Sequence, residues 1–222
     1  MFILFLSIGT LLMFGVMLIA GKNFHIPWWK LLLSSVVLTA AGVLGAYLMF
    51  LLENGSWGGK SFFGSIFLPP VMMLAAAKLL KIRQSELLDL CAPAECVMLA
   101  LLKVDCLRSG CCAGRVIGLS AYTGEPVRFP SQIAEGVNAL ILMVFLILIV
   151  RQDKRSGTAY PLYMILYGVC RFFLNLLRET TPFIWILPAG NFWALVCTAL
   201  GIIAWFLIQK HKKTDTSSSE GA

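Results

Sequence analysis

Long apolar stretches alternate with short polar segments along this chain of 222 residues. Seven such stretches occur, at about residues 2–20, 31–52, 61–80, 87–104, 133–150, 159–177 and 191–209. A helix rises about 1.5 Å per residue, so each stretch has roughly the length needed to cross a hydrocarbon core. The apolar positions do not alternate with a period of two, which disfavours a β-barrel. We therefore predict an all-α integral membrane protein, a bundle of about seven transmembrane helices.

The composition and the placement of charge support this prediction and add an orientation. Hydrophobic residues make up 59% of the chain and charged residues 13%, which excludes an ordinary soluble domain. If the N-terminus lies outside, 11 of the 18 Lys and Arg residues fall on the inner side. Because cytoplasmic loops are enriched in Lys and Arg, we predict an N-out/C-in topology. The net charge of +7 then reflects topology and attraction to anionic lipid rather than nucleic-acid binding.

The organisation along the chain is that of a single membrane unit. Residues 1–209 form one seven-span transmembrane domain, whose longest outer loop covers residues 105–131. Residues 210–222 are first basic and then Ser-rich, and we expect a disordered cytoplasmic tail there. Pro69 and Pro70 interrupt the third span, so a kink or a broken helix is expected at that point.

The sixth apolar stretch carries a polar stripe. Steps of three or four residues place six side chains on one helical face: Tyr160, Tyr163, Tyr167, Arg171, Asn175 and Arg178. Arg178 fits a side chain that reaches to the membrane interface, but Arg171 lies about 10 Å deeper. Arginines at such depth usually face a protein interior or a wet cavity. Two guanidinium groups on one face indicate a clamp for a phosphate group.

Polar residues from three further spans reach the same depth. They are Lys103 and Asp105 at the end of the fourth span, Gln132 and Glu135 at the start of the fifth, and residues 61–64 at the start of the third. The topology places all of them toward the outer leaflet, together with the arginines of the sixth span. The sequence therefore predicts a site that faces the outer leaflet and binds an anion.

The seven cysteines do not indicate a disulfide framework. Four lie within spans, where they are expected to pack as small apolar residues. Cys106, Cys111 and Cys112 lie in the outer loop, where a disulfide is chemically possible. The only histidines, His25 and His211, fall on the inner side. An outer zinc site would have to rely on thiols and carboxylates alone, so we expect no metal site and no cofactor.

Five short motifs occur in order at the ends of these spans. Residues 58–65 read GGKSFFGS, residues 89–93 DLCAP and residues 102–114 LKVDCLRSGCCAG; residues 129–135 read FPSQIAE and residues 167–178 YGVCRFFLNLLR. Together they resemble the motifs of the prolipoprotein diacylglyceryl transferases, bacterial membrane enzymes with seven spans. The resemblance covers roughly residues 40–209 and is weak in the first span.

The resemblance implies a reaction and a set of site residues. The diacylglyceryl group of phosphatidylglycerol, or a similar anionic phospholipid, would pass to the cysteine thiol of a lipoprotein precursor peptide in the bacterial plasma membrane. Arg171, Glu135 and Lys103 are then expected to act in catalysis, with Glu135 or Asp105 as the base. The expected substrate-binding residues are Lys103, Arg178, Gln132, Ser61, Gly64, Gly110, Tyr167 and Asn175.

Three departures from the family pattern leave alternatives open. Phe63 stands where the family has a histidine, Lys103 replaces an arginine, and Asn175 replaces a glutamate. Lysine still offers a charge to phosphate but not the two-pronged contact of arginine. The chain is therefore either an active transferase, with this acceptor or another, or an impaired paralogue that binds anionic phospholipid or lipoprotein precursor. A small-solute carrier is disfavoured, since matching half-repeats with broken helices do not occur in the sequence.

Overall fold

The computed structural model describes residues 2–120, 122–152, 157–179, 183–184 and 186–219. Across these residues the chain forms seven α-helices: α1 (Phe2–Ala20), α2 (Trp28–Asn54), α3 (Gly64–Leu80), α4 (Gln84–Ser109), α5 (Ser131–Gln152), α6 (Ala159–Leu176) and α7 (Ala189–Ser219). A short 3-10 helix follows α1 at Gly21–Asn23. Two small antiparallel hairpins pair β1 (Val116–Leu119) with β2 (Pro126–Arg128), and β3 (Phe183–Ile184) with β4 (Leu187–Pro188).

The helices lie where the apolar stretches predicted them, and the all-α membrane-type fold is confirmed. Within the described ranges, five helices are long and apolar enough to cross a membrane: α1, α2, α5, α6 and α7. Helix α3 is apolar but has 17 residues. Helix α4 has 26 residues but carries charged side chains such as Asp89, Glu95 and Lys103, and these make it the least hydrophobic of the seven helices.

Helix α3 continues through its two prolines, so the expected break is absent. Pro70 cannot donate to the carbonyl of Ile66, four residues earlier. That carbonyl instead accepts a hydrogen bond from the Tyr160 hydroxyl of α6, at 2.9 Å. A side chain from a neighbouring helix thus satisfies a backbone group that proline leaves free, as is common in membrane helices.

The last helix extends beyond the seventh apolar stretch. Helix α7 continues to Ser219, into the segment for which the sequence predicts a tail. Once a helix is formed, each added residue contributes a hydrogen bond at little further cost, and the segment from Lys210 to Ser219 contains neither glycine nor proline. Residues 220–222 lie outside the described part of the chain.

Helix α4 occupies the centre of the bundle and packs against α1, α3, α5 and α6. The side chains of Leu87, Leu90, Cys91 and Cys96 are fully buried. Helices α2 and α3 cross closely at Gly45 and Gly64, where a Cβ atom on either residue would overlap the backbone of the other. Small residues at such crossings let membrane helices approach one another.

The loops meet in two groups at opposite ends of the bundle. At one end, Arg151 in the last turn of α5 donates to the carbonyl of Ile19 in α1 at 3.0 Å. There, Asp89 also accepts the backbone N–H groups of Gly157 and Ala159 at 2.8 Å each. Asp89 therefore has a structural role, because its carboxylate caps the start of α6. The opposite end contains the C-termini of α4 and α6, the N-termini of α3 and α5, and the β1–β2 hairpin.

Candidate functional site

A buried cluster of three cations around one carboxylate lies between the ends of α4, α5 and α6. Glu135 forms ion pairs with Lys103 and with Arg171 through the same carboxylate oxygen, Oε2. Its other oxygen, Oε1, lies 3.7 Å from Nη1 of Arg178. The side chains of Lys103, Glu135 and Arg171 are each less than a tenth exposed, and that of Arg178 is 14% exposed.

The helical register brings these residues together. Arg171 and Arg178 are seven residues apart, two turns of α6 and its C-terminal extension, so both point toward the start of α5. Glu135 lies one turn into α5, and Lys103 lies two turns before the end of α4. One negative and three positive groups leave a net charge of two positive units in a largely buried site. Such a site attracts an anion, because a buried charge without a partner is costly.

Several polar atoms beside the cluster have no hydrogen-bond partner in the described structure. They are the Tyr167 hydroxyl, both amide atoms of Asn175, and the Nε atoms of Arg171 and Arg178. Buried polar groups in folded proteins are nearly always paired, and an unpaired one costs about 1–3 kcal/mol. All of these atoms except the amide oxygen of Asn175 can donate a hydrogen bond, and donors next to excess positive charge are what a binding site for a phosphate-containing ligand requires.

Two cavities adjoin the cluster and share Lys103. One, of about 380 Å³, lies among α1, α2 and α4 and extends from Glu95 and Tyr163 up to Lys103 and Asp105. The other, of about 370 Å³, is an almost wholly apolar groove between α4 and α5. Ile133 and Val137 in that groove are about half exposed on the outer surface of the bundle. Lys103 therefore stands between an internal cavity and a groove that opens sideways.

Aromatic side chains form one wall of the site. The ammonium nitrogen of Lys103 lies 5.8 Å from the ring centroid of Phe62, within the range of a cation–π contact. The Phe62 ring lies 5.7 Å from that of Tyr167, and Phe63 packs between Phe67 and Tyr167 at 6.2 and 6.3 Å. Phe63 is buried in this cluster, so the position that holds histidine in the related family is part of a packed aromatic wall.

Three thiols lie at the mouth of the internal cavity. The Sγ atoms of Cys106, Cys111 and Cys112 are all within 4.8 Å of one another, and all three residues line the cavity. The chain reverses at Gly110 in a left-handed conformation, with φ +68°. The Cys111 N–H then donates back to the Cys106 carbonyl at 3.2 Å, the pattern of a Schellman helix end.

Two of these thiols, Cys106 and Cys112, differ in their pKa values. A hydrogen bond from Cys106 and the nearby charges of Arg178 and Lys103 lower the pKa of Cys112 to about 5. The same hydrogen bond and burial raise the pKa of Cys106 well above its usual range. The pKa of Cys112 is therefore lower than that of Cys106, because positive groups and a thiol donor stabilise its negative charge.

The structure divides the predicted site residues into two groups. Lys103, Glu135, Arg171, Arg178 and Tyr167 lie together around the cluster, and the amide of Asn175 lies against Gly190 in α7. The other four have structural partners: Ser61 donates to Glu53 at 2.9 Å, Gln132 donates to the Cys111 carbonyl at 2.6 Å, Gly64 packs on Gly45, and Gly110 ends α4.

Two features of the site were missed by the sequence analysis. The aromatic contact of Phe62 with Lys103 depends on the packing of α3 against α4 and has no local signal. The thiol cluster does have a local signal in the sequence. The spacing C-x4-C-C across the end of a helix brings the side chain of the first cysteine close to those of the other two. That signal was discounted because no histidine lies nearby.

Comparison with known proteins supports the resemblance seen in the motifs. The model of the family described as prolipoprotein diacylglyceryl transferase matches residues 2–207. The chain is 22% identical over 246 residues to a phosphatidylglycerol–prolipoprotein diacylglyceryl transferase of Dehalococcoides mccartyi, covering 94% of this chain and 95% of that protein. It is 28% identical over 138 residues to the Clostridium tetani protein of the same name, covering 58% of this chain and 55% of that protein.

Proposed function

Because this chain belongs to the prolipoprotein diacylglyceryl transferase family, we propose that it transfers the diacylglyceryl group of phosphatidylglycerol to a cysteine thiol of a lipoprotein precursor. The observation that carries this proposal is the buried cluster with its net charge of two positive units. The donor lipid bears one negative phosphodiester, and the leaving glycerol phosphate bears two charges. The cluster is therefore better matched to the products and to the transition state than to the bound lipid.

Each member of the cluster has a distinct role in this proposal. Arg171 and Arg178 bind the phosphate oxygens from one helix, and Lys103 binds them from the opposite side. Glu135 is a positioning residue, since it holds all three cations at one point. Gln132, Ser61, Gly64 and Gly110 support the walls, and the unpaired groups of Tyr167 and Asn175 bind the glycerol part of the headgroup.

The two cavities give the two substrates separate places. With its phosphate at Lys103, the lipid rests an acyl chain in the apolar groove between α4 and α5, which opens toward the surrounding membrane. The precursor peptide brings its cysteine into the internal cavity, toward Asp105 and the thiols. The two substrates then meet at Lys103, the residue that both cavities share.

The proposed setting is the bacterial plasma membrane. All seven helices span it, with the N-terminus outside, the C-terminus inside and the site toward the outer leaflet. Residues 1–209 form the membrane domain, and the basic segment that follows lies at the cytoplasmic surface. This orientation is supported by the positive charge at the end of the bundle away from the site, because Lys and Arg are enriched in cytoplasmic loops.

The test is replacement of Arg171 with alanine, with Arg108 as the matched control. Arg108 lies at the same end of the bundle and is exposed. A charge-assisted contact contributes about 1.5–3 kcal/mol, so Arg171→Ala should weaken binding of fluorescent phosphatidylglycerol in micelles by about tenfold or more. Arg108→Ala should leave it unchanged. Equal affinity of the parent protein and Arg171→Ala for the lipid would show that the cluster packs the helices together and does not bind the headgroup.

Turnover separates this proposal from the alternative of an impaired paralogue. The measurement is release of glycerol phosphate from phosphatidylglycerol in the presence of a lipobox peptide. Peptide-dependent release that Arg171→Ala abolishes supports a transferase. Tight lipid binding with no release, in a folded protein supplied with several lipoprotein precursors, would favour the paralogue.

A further inference from the structure

The thiol cluster has the geometry of a metal site. In a tetrahedral zinc site with Zn–S distances of about 2.3 Å, the ligand sulfurs are about 3.8 Å apart. The three sulfurs of Cys106, Cys111 and Cys112 lie within 4.8 Å of one another, so small side-chain rotations bring them onto one ion. Thiolates are the ligands that Zn²⁺ and other soft cations prefer.

The backbone that carries these thiols is held in place by the start of α5. Ser131 donates to the Cys112 carbonyl and Gln132 to the Cys111 carbonyl, each at 2.6 Å, and both donors are buried. Cys112 adopts a left-handed conformation with φ +62°, which is uncommon for a residue other than glycine. Such backbone strain persists only where neighbouring contacts impose it, and it clusters at functional sites. The thiols are therefore preorganised rather than gathered by chance in a mobile loop.

The surroundings favour a metal bound by three thiolates. A Zn²⁺ ion with three thiolate ligands carries one net negative charge. Lys103 borders the same cavity, and both it and Arg178 lie close enough to Cys112 to interact with it electrostatically, so they offset that charge. Three protein ligands leave the fourth position open, the arrangement found in catalytic rather than structural zinc sites.

We propose that Cys106, Cys111 and Cys112 bind one Zn²⁺ ion, and that the open fourth position takes the acceptor cysteine of the precursor as a thiolate. The binding of a metal by these thiols does not depend on the proposed function, whereas the activation of the acceptor thiol by that metal rests on it. The inference differs from the expectation, drawn from the sequence, that the outer loop holds no metal site. It also explains how the acceptor thiol is deprotonated at an end of the bundle that has no histidine.

The chemistry balances without a further reactant. The acceptor thiol loses its proton to solvent when its sulfur binds the metal, because a coordinated thiol is deprotonated. The thiolate sulfur attacks the glyceryl carbon that bears the phosphate oxygen, so one S–C bond forms and one C–O bond breaks. The electron pair of the C–O bond leaves with glycerol phosphate, whose second negative charge is received by the cation cluster.

The first experiment uses the full chain, reduced and freed of metal in detergent, then titrated with Zn²⁺ or Co²⁺. We expect one ion per chain, a sulfur-to-cobalt charge-transfer band, and a zinc X-ray absorption spectrum with three sulfur ligands at about 2.3 Å. Cys111→Ser should weaken binding at least tenfold. Cys170→Ser, a half-buried thiol on α6 outside the cluster, should bind like the parent.

Protection from alkylation tests the same site without any substitution. Bound Zn²⁺ should shield all three cluster thiols from maleimide and leave Cys170 as reactive as before, which mass spectrometry of peptides resolves. Binding of less than one ion per chain, a cobalt spectrum without the charge-transfer band, or a disulfide within the cluster that persists in reductant would overturn the metal site.

The second experiment adds a lipobox peptide to the Co²⁺-loaded protein. A peptide with cysteine should intensify the charge-transfer band, and the same peptide with serine should not. An unchanged spectrum, or equal transfer rates with and without Zn²⁺, would overturn activation of the acceptor and leave the proposed function intact. A spectral response to the cysteine peptide without transfer from phosphatidylglycerol would support the metal site and overturn the proposed function.

Discussion

At the scale of single residues, Glu135 determines where the positive charges of the site lie. Its carboxylate is the common partner of Lys103, Arg171 and Arg178. Without it, three cations from α4 and from α6 with its C-terminal extension would repel one another in a poorly solvated space. In the proposed mechanism the residue therefore assembles the site, whereas the sequence led us to consider Glu135 or Asp105 as the base.

Replacing Glu135 with glutamine keeps its size and removes its charge. Loss of one partner from a buried ion pair costs about 3–5 kcal/mol, so the midpoint of thermal unfolding in detergent should fall clearly. Phosphatidylglycerol should restore part of the loss, because its phosphate replaces the missing negative charge. Glu125→Gln, in the exposed β1–β2 turn, is the control and should change nothing. A Glu135→Gln protein as stable as the parent without lipid would contradict this role.

Phe63 is the second residue whose replacement discriminates between mechanisms. If the chain lacks only the histidine of its family, Phe63→His should raise activity, since general acid–base catalysis supplies about 10²–10⁴-fold. The packed aromatic wall and the neighbouring thiols indicate that the site has been rebuilt, so we expect no gain in release of glycerol phosphate. A gain of tenfold or more would show that proton transfer at this position limits the parent protein.

At the scale of elements, the close crossing of α2 and α3 positions the aromatic wall. Phe62 and Phe63 come directly before Gly64, so the distance between the two helices decides how far these rings reach toward Lys103. The crossing depends on Gly45 and Gly64, whose backbones are in direct contact. The family motif at residues 58–65 is thus explained here by packing that supports the site.

Gly64→Ala tests this crossing. The added Cβ overlaps the backbone of Gly45, and overpacking typically costs about 1–3 kcal/mol, so unfolding should occur at lower temperature and activity should fall. Gly15→Ala is the matched control, because its Cβ would meet no other atom within 4 Å. That substitution should stabilise α1 slightly, as alanine is the better helix former by up to about 1 kcal/mol. Equal stability of the two variants would show that the crossing is loose.

At the scale of the whole molecule, the two ends of the bundle differ in function. At one end, Arg151 joins α5 to α1 and Asp89 joins α4 to the start of α6, and the other end contains the cation cluster and the thiols. A transferase that takes its lipid from one leaflet requires such an asymmetry, since the headgroup must enter at a single depth. The orientation in the membrane then decides which leaflet supplies the lipid.

The orientation is tested with reporters fused after residue 222. In the proposed N-out/C-in topology, a C-terminal green fluorescent protein should fluoresce, whereas a C-terminal alkaline phosphatase should be inactive. A cysteine reagent that does not cross membranes should label exposed Cys111 in intact cells from which the outer membrane is absent or removed. The reverse pattern would place the site at the inner leaflet and exclude a precursor cysteine that is reached from outside.

The sequence alone determined the seven helices, since hydropathy depends on local composition and a membrane requires each span to bond its own backbone. It also identified the charged side chains of the site, because arginine and lysine within apolar stretches are costly and stand out. Only the tertiary structure decided how those residues pair. Glu135 lies among three cations because α4, α5 and α6 pack together, and the backbone that carries Cys111 and Cys112 is held by the start of α5. Ser61 and Gly64 contact α2 rather than the cluster for the same reason. Contacts between distant segments depend on packing, which no local pattern of the chain specifies.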